Sequence, residues 1–245
     1  MPTSTYKEKR EMLLQIMQGR KFPGNKLPTE ETLTEMLSCS RGTLREILKE
    51  LEYKGYITKK HSVGNFIHPS AFHTKMRIEL YTSFHDLILS GGYEPSVKVI
   101  KYIGNTMDIP AATQERLRMQ NDEGADYTER VYFADGQPAI LSKCYIPKGI
   151  MLRQGYNSED GSTLFDFLKR FCNQEVEQMQ LHFFIEEARG ELAEIFSVPE
   201  GKPLLLWEEA FYNYCDEIVA ISHNYFNMDI MQLSMLKRYQ KVERG

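Results

Sequence analysis

The chain has 245 residues, 42% of them apolar and 26% charged, a globular composition with material for two packed cores. No apolar run is long enough to span a membrane. The polar start lacks an apolar stretch of signal-peptide type, and the four cysteines form no CxxC, so the expectation is a cytoplasmic protein with reduced thiols and neither a disulfide framework nor a metal site. Net charge is −4, yet residues 1–70 carry 12 Lys and Arg against 8 Asp and Glu, net +4, while residues 71–245 are net −8. A basic head on an acidic body suggests a polyanionic partner for the head alone.

In chain order, residues 6–18 read as a helix with Leu13, Leu14, Ile16 and Met17 on its apolar side, ended by the loop Phe22 to Pro28. Thr29 is placed to cap a second helix, with Glu30 and Glu31 in its first turn, where the helix dipole favours anions. Ser40 is placed to cap a third helix through about Tyr53, whose Leu44, Ile47, Leu48 and Leu51 recur at helical spacing, and Gly55 ends it. Two short strands, 56–60 and 65–67, flank a tip at His61 to Gly64. Three helices followed by a hairpin outline a winged helix-turn-helix for residues 1–70.

Pro69 to Thr74 reads as a linker, and residues 75–90 as an amphipathic helix stopped by Gly91 and Gly92. The remainder of the second domain, 71–245, carries strands expected at 97–104, 125–134, 138–147, 176–188, 203–213 and 217–227, and helices at 111–118, 163–171 and 189–196. Asp135-Gly136 is a strong hairpin signal, and adjacent strands joined this way are antiparallel. The fold class is therefore α+β, a winged head followed by an antiparallel sheet domain with helices.

Within the head, Arg41 and Arg45 lie four residues apart on the outer face of the third helix, with Thr43 beside them. The N-terminal turns of such a helix approach base edges, and arginine donates two coplanar hydrogen bonds to guanine. Thr29 and the free N–H groups at the start of the second helix suit a phosphate, and Glu30 beside them is a further candidate DNA-facing residue. Ser40 caps the recognition helix, while Lys59, Lys60, His61 and Gly64 make a basic wing.

Leu27-Pro28-Thr29-Glu30, Leu33, Ser40-Arg41, Thr43-Leu44-Arg45, Leu48, Leu51, Gly55-Tyr56-Ile57 and Gly64-Asn65-Phe66-Ile67 together resemble the DNA-binding domain of the GntR family. That resemblance implies that Arg41, Thr43 and Arg45 face double-stranded operator DNA and that Gly64 sets the wing in the minor groove. One departure is Ser62, which stands where the family has its first wing glycine and implies a stiffer wing.

From about Phe84 to Asp229 the chain resembles the UTRA effector domain of the HutC-like branch, whose fold is shared with chorismate lyase. The landmarks are Gly92 to Ser96, Glu129-Arg130-Val131, Asp135 to Pro138, Tyr145-Ile146-Pro147, Thr163-Leu164-Phe165, Pro203-Leu204-Leu205 and Ser222. Arg130 and Tyr132 share one strand face, as Ser142 and Cys144 do on the partner strand. Arg130 with Ser96 and Thr163 forms a candidate anion site, against the alternatives of a surface ion pair for Arg130 and a plain turn residue at Ser96. Phe165 and Tyr225 complete the candidate effector residues.

Relatives that sense sugar phosphates tend to have arginine where this chain has Tyr132, and glutamate where it has Ser142 and near Ala220. The resemblance thus implies an effector with one anionic group and more apolar or aromatic surface than a plain hexosamine phosphate. The expected whole is a ligand-responsive repressor that binds a pseudo-palindromic operator as a homodimer, without a cofactor and without a membrane. The alternatives are a DNA-binding regulator with no small ligand and a lyase-like enzyme. No nucleophile–base pair supports the enzyme, and a fold alone does not carry a reaction.

Overall fold

The computed structural model describes residues 4–120, 122–151 and 164–237. The chain divides into two compact units: one runs to Leu80 and takes back the residues from Ser234, and the other is 81–233. The expected division at 70/71 differs from this by ten residues and by the returning C-terminal segment.

The first unit opens with α1 (Ser4–Gly19), α2 (Glu30–Leu37) and α3 (Arg41–Tyr53), followed by a hairpin of β1 (Ile57–Lys60) and β2 (Gly64–Ile67). The caps fall where the sequence placed them: the Thr29 hydroxyl accepts from Thr32 N at 3.2 Å and the Ser40 hydroxyl from Thr43 N at 3.1 Å. The leucine spacing turns one face of each helix inward. Leu13, Met17, Leu33, Leu37, Leu44, Ile47, Leu48 and Leu51 close one core with Leu27, Ile57 and Ile67. Burying a side chain of this size is worth about 1.5–3 kcal/mol. Glu50 ties α1 to α3, accepting from Tyr6 Oη at 2.8 Å and from Arg10 Nη1 at 3.0 Å.

Two expectations change at the end of this unit. Pro69–His73, read as linker, forms a short helix, α4, that buries Ala71. The helix expected over 75–90 begins only at Phe84, as α5 (Phe84–Gly91), with the Ser83 hydroxyl over its N-terminus. Residues before it are held in another conformation. Met76 has φ +47, Ser234 N donates to Met76 O, and Ile78 N donates to Ser234 O, both at 2.9 Å. Arg77, only 3% exposed, donates from Nη2 to the Lys54 carbonyl at the end of α3 at 2.8 Å. It also lies 5.5 Å from the Tyr56 ring centroid and pairs with Glu79. A helix through 75–83 would remove every one of these contacts.

The second unit is an antiparallel six-stranded sheet in the order β3-β4-β5-β8-β7-β6, built from β3 (Pro95–Thr106), β4 (Ala125–Ala134), β5 (Gln137–Pro147), β6 (Val176–Glu187), β7 (Pro203–Asn213) and β8 (Ile218–Phe226). Asp135 and Gly136, both at positive φ, make the β4–β5 turn that their pairing announced. On one sheet face, α7 (Leu164–Cys172) packs Phe167, Leu168 and Cys172 against Cys144, Ile146, Phe211 and Ala220. On the opposite face, α8 (Glu191–Phe196) packs against Val131, Leu141 and Leu204, and Leu117, just after α6 (Ala111–Arg116), packs against Tyr127, Tyr145 and Ile221.

Candidate DNA interface and effector site

In the first unit, Arg41 and Arg45 stand on the exposed side of α3, facing away from Leu44, Ile47 and Leu48. Each is braced by an acid of α2. Arg45 Nε donates to Glu30 Oε2 at 3.0 Å, and Arg41 Nη2 lies 3.7 Å from Glu31 Oε1. Such exposed pairs are worth at most about 1 kcal/mol, so they orient the arginines without locking them in place. Glu30 therefore acts on Arg45, and Glu31 is a brace that the sequence reading did not single out. Thr43 Oγ1 lies 2.9 Å from Ser40 Oγ, so both hydroxyls are engaged in the cap.

Lys59, Lys60 and His61 are exposed along the wing. Gly64 has φ +128, a conformation that side-chain-bearing residues rarely adopt, and a Cβ there would press on Lys26 Cε at 3.0 Å. Ser62 takes φ +59, the left-handed conformation that glycine adopts freely, with its hydroxyl 2.8 Å from His61 Nδ1. The wing thus keeps a glycine-like backbone at the departure from the family pattern.

In the second unit, the sheet face beneath α5 and α7 carries an unusual centre. Strand register sets Arg130, Ser142, Asn224 and Trp207 side by side in one row across β4, β5, β8 and β7. The next row along the same strands is Thr128, Cys144, Ser222 and Glu209. All eight are buried. Apolar flanks close off both ends: Phe165 of α7 meets Phe211 at 5.9 Å between ring centroids, and Phe84 of α5 meets Tyr132, Phe226 and Trp207 at 5.3, 5.6 and 6.0 Å.

A buried polar atom needs a partner, and this patch is incompletely supplied. Arg130 Nη1 donates to Thr128 Oγ1 at 3.2 Å, and Asn224 Nδ2 donates to Trp207 O at 3.2 Å and to Ser222 Oγ at 2.9 Å. Among the described residues, Asn224 Oδ1 and Trp207 Nε1 have no partner, and no hydrogen bond or ion pair reaches the Glu209 carboxyl. Burial raises the Glu209 carboxyl to about 8, which leaves it largely neutral at pH 7. The Cys144 thiol is pushed up to about 12 by burial, far from the thiolate that a nucleophile requires.

The candidate effector residues fall into three groups. Arg130, Tyr132 and Ser142 share the patch face, and Phe165 enters from α7. Tyr225 alternates with Asn224 and so points to the opposite face, where it packs on the α8 side with Leu141 and Val131. Ser96 is exposed and lies opposite Phe133, whose ring packs on that same far side. Thr163 lies outside the described residues. The sequence reading passed over Thr128, Trp207, Glu209 and Asn224, and named Ser222 as a family landmark without a site role. The available signal was the even-numbered polar run Ser222, Asn224 inside an otherwise apolar strand.

A winged helix-turn-helix with exposed arginines on α3, joined to a body with a buried polar patch, defines a ligand-sensing transcription regulator. Residues 9–67 match the bacterial regulatory proteins of the gntR family, and residues 90–232, more than half of the chain, match the UTRA domain. The chain belongs to the GntR family of DNA-binding transcription regulators, in the group with a UTRA domain, and is a regulator rather than an enzyme.

It is 24% identical over 209 residues to the HTH-type transcriptional repressor NagR of Bacillus subtilis, covering 84% of this chain and 83% of that protein. It is 19% identical over 224 residues to the mannosyl-D-glycerate transport/metabolism system repressor MngR of Escherichia coli, covering 91% and 90%. The crystal structure of the Bacillus subtilis regulator YydK superposes with a TM-score of 0.73 at 24% identity, covering 96% of this chain and 99% of that one, which establishes the common fold. No helix among the described residues is long and apolar enough to cross a membrane.

Proposed function

We propose that this regulator is a cytoplasmic repressor that binds a pseudo-palindromic operator as a homodimer and is controlled by a small effector carrying one anionic group. The observation that carries the effector half is the buried row Arg130, Ser142, Asn224 and Trp207, in which Asn224 Oδ1 and Trp207 Nε1 have no partner among the described residues. A body serving dimerisation alone would have little reason to keep such a row, because each unmatched buried group costs about 1–3 kcal/mol. The repressor reading follows the names of NagR and MngR.

Support for the dimer comes from the sheet edge. β6 is an outer strand, and Phe183, Phe184 and Ile185 on it are 47, 50 and 72% exposed. An edge strand with unpaired backbone groups and exposed apolar side chains invites a second copy. Pairing β6 with its own counterpart would be isologous and would give the two-fold symmetry that a pseudo-palindromic operator requires.

The effector would act by favouring one arrangement of the two heads over another, since a ligand shifts an equilibrium only by its differential affinity. The test is a metabolite screen by thermal shift on the full chain, followed by operator binding with and without each stabilising compound. Arg130→Ala is expected to bind operator normally and to need at least about tenfold more ligand for the same response, the equivalent of about 1.4 kcal/mol. A normal ligand response in Arg130→Ala would remove the anion site.

A further inference from the structure

Asn224 and Trp207 are direct neighbours across β8 and β7, and each presents one orphan atom of opposite kind. The Asn224 amide orientation is fixed by its Nδ2, which donates to the Trp207 carbonyl, a group that only accepts. Its Oδ1 is therefore an unmet acceptor, and the indole N–H is an unmet donor. A hydroxyl suits this pairing of needs, because it accepts and donates through one oxygen. An ammonium group meets the acceptor but not the donor, and a carboxylate meets the donor but not the acceptor. Glu209, in the adjacent row, adds a largely neutral acid that also suits an uncharged group.

The surroundings define the body of the ligand. Phe84, Trp207, Phe226 and Phe183 form a continuous aromatic wall, with Trp207 stacked on Phe226 at 5.4 Å and tilted against Phe183 at 5.5 Å. Arg130 stands at the far end of the row, three strands away, about 14 Å between backbones at the usual strand spacing. Neither orphan atom is open to water, and Phe84, the half-buried first residue of α5, lies edge-on to Trp207 at 6.0 Å, beside Phe226 and Phe183.

We propose that Trp207 Nε1 and Asn224 Oδ1 form a hydroxyl-recognising subsite beneath Phe84, and that the effector is a small aromatic or apolar molecule with an anionic group at one end for Arg130 and a hydroxyl at the other for this pair. The proposal rests on the effector reading above and adds the chemistry of the end remote from the anion. Phe84 is the side chain that moves aside when the hydroxyl enters. Phe84 lies four residues beyond Leu80, where the first unit ends.

Matched probes test this by calorimetry on the full chain: 4-hydroxyphenyl phosphate, phenyl phosphate and inorganic phosphate. The hydroxylated probe is expected to bind about tenfold more tightly than phenyl phosphate, the typical effect of one well-placed hydrogen bond whose site groups are otherwise unpaired. Trp207→Phe keeps the stacking and removes the N–H. It should erase the tenfold difference between the hydroxylated and the plain probe. If that variant does not fold, Asn224→Ser reads the same loss. Arg130→Ala should weaken both organic probes alike.

Equal affinities in the unaltered protein, or a preference that survives Trp207→Phe, would overturn the subsite. Failure of both organic probes to bind would overturn the proposed ligand class. The effector reading itself falls only if no screened metabolite shows a response that depends on Arg130.

Discussion

At the residue scale, the clearest consequence concerns Glu209. Its carboxyl is raised from an ordinary 4.5 to about 8 by burial. The folded chain therefore keeps a proton that the unfolded chain releases between those values. Unfolded molecules bind fewer protons in that window, so stability declines as pH rises from about 4.5 to about 8. Glu209→Gln removes the titration. It is expected to unfold at a higher temperature than the unaltered protein at pH 8 and at nearly the same temperature at pH 5. Parallel pH profiles for the two proteins would show that Glu209 is not held neutral by the fold.

The alternation of Ser222 and Asn224 was legible in the sequence, as was the shared face of Arg130 and Tyr132. Glu208 and Glu209 were not separable, because adjacent strand residues point to opposite faces and nothing local says which face is covered. Here Glu208 meets Arg116 and His223 on one face while Glu209 is buried on the other. Tyr225 shows the converse: once Asn224 faces the patch, the tyrosine beside it cannot.

At the scale of elements, the winged head follows from local signals. Two capping hydroxyls, a leucine period and paired turn residues all point to one structure, and helix and hairpin form where they agree. The second unit's strands also fall close to their expected spans. The helix expected over 75–90 is the instructive exception. Its apolar period is real, but residues 76–79 are held by Ser234 and Leu236, a contact more than 150 positions away in sequence that no local pattern reports. Arg77 is the centre of that clasp, joined to Lys54 at the end of the recognition helix. Arg77→Ala removes a charged hydrogen bond and a packed side chain. It should lower the stability of the first unit by about 2 kcal/mol in a denaturant titration that follows the head. An unchanged midpoint would mean that the clasp does not support the head.

At the scale of the whole molecule, the charge divides: residues 1–70 are net +4 and residues 71–245 net −8, a distribution that disfavours nonspecific DNA contact by the acidic part. The fold was readable because the head motif and the order of strands are properties of sequence. The effector's chemistry was less so, because the patch is assembled from four strands whose order, β4-β5-β8-β7, is not their order in the chain.

Arg45, on the exposed face of α3, is proposed to read operator bases in a dimeric repressor. The most direct test is fluorescence anisotropy on an operator selected by the unaltered protein from random DNA, with Arg45→Ala beside it. The account expects two chains per operator at saturation. It also expects a loss of about ten- to hundredfold in affinity for Arg45→Ala, with thermal unfolding and dimerisation unchanged. Unaltered affinity in a folded Arg45→Ala protein, or saturation at one chain per operator, would contradict it.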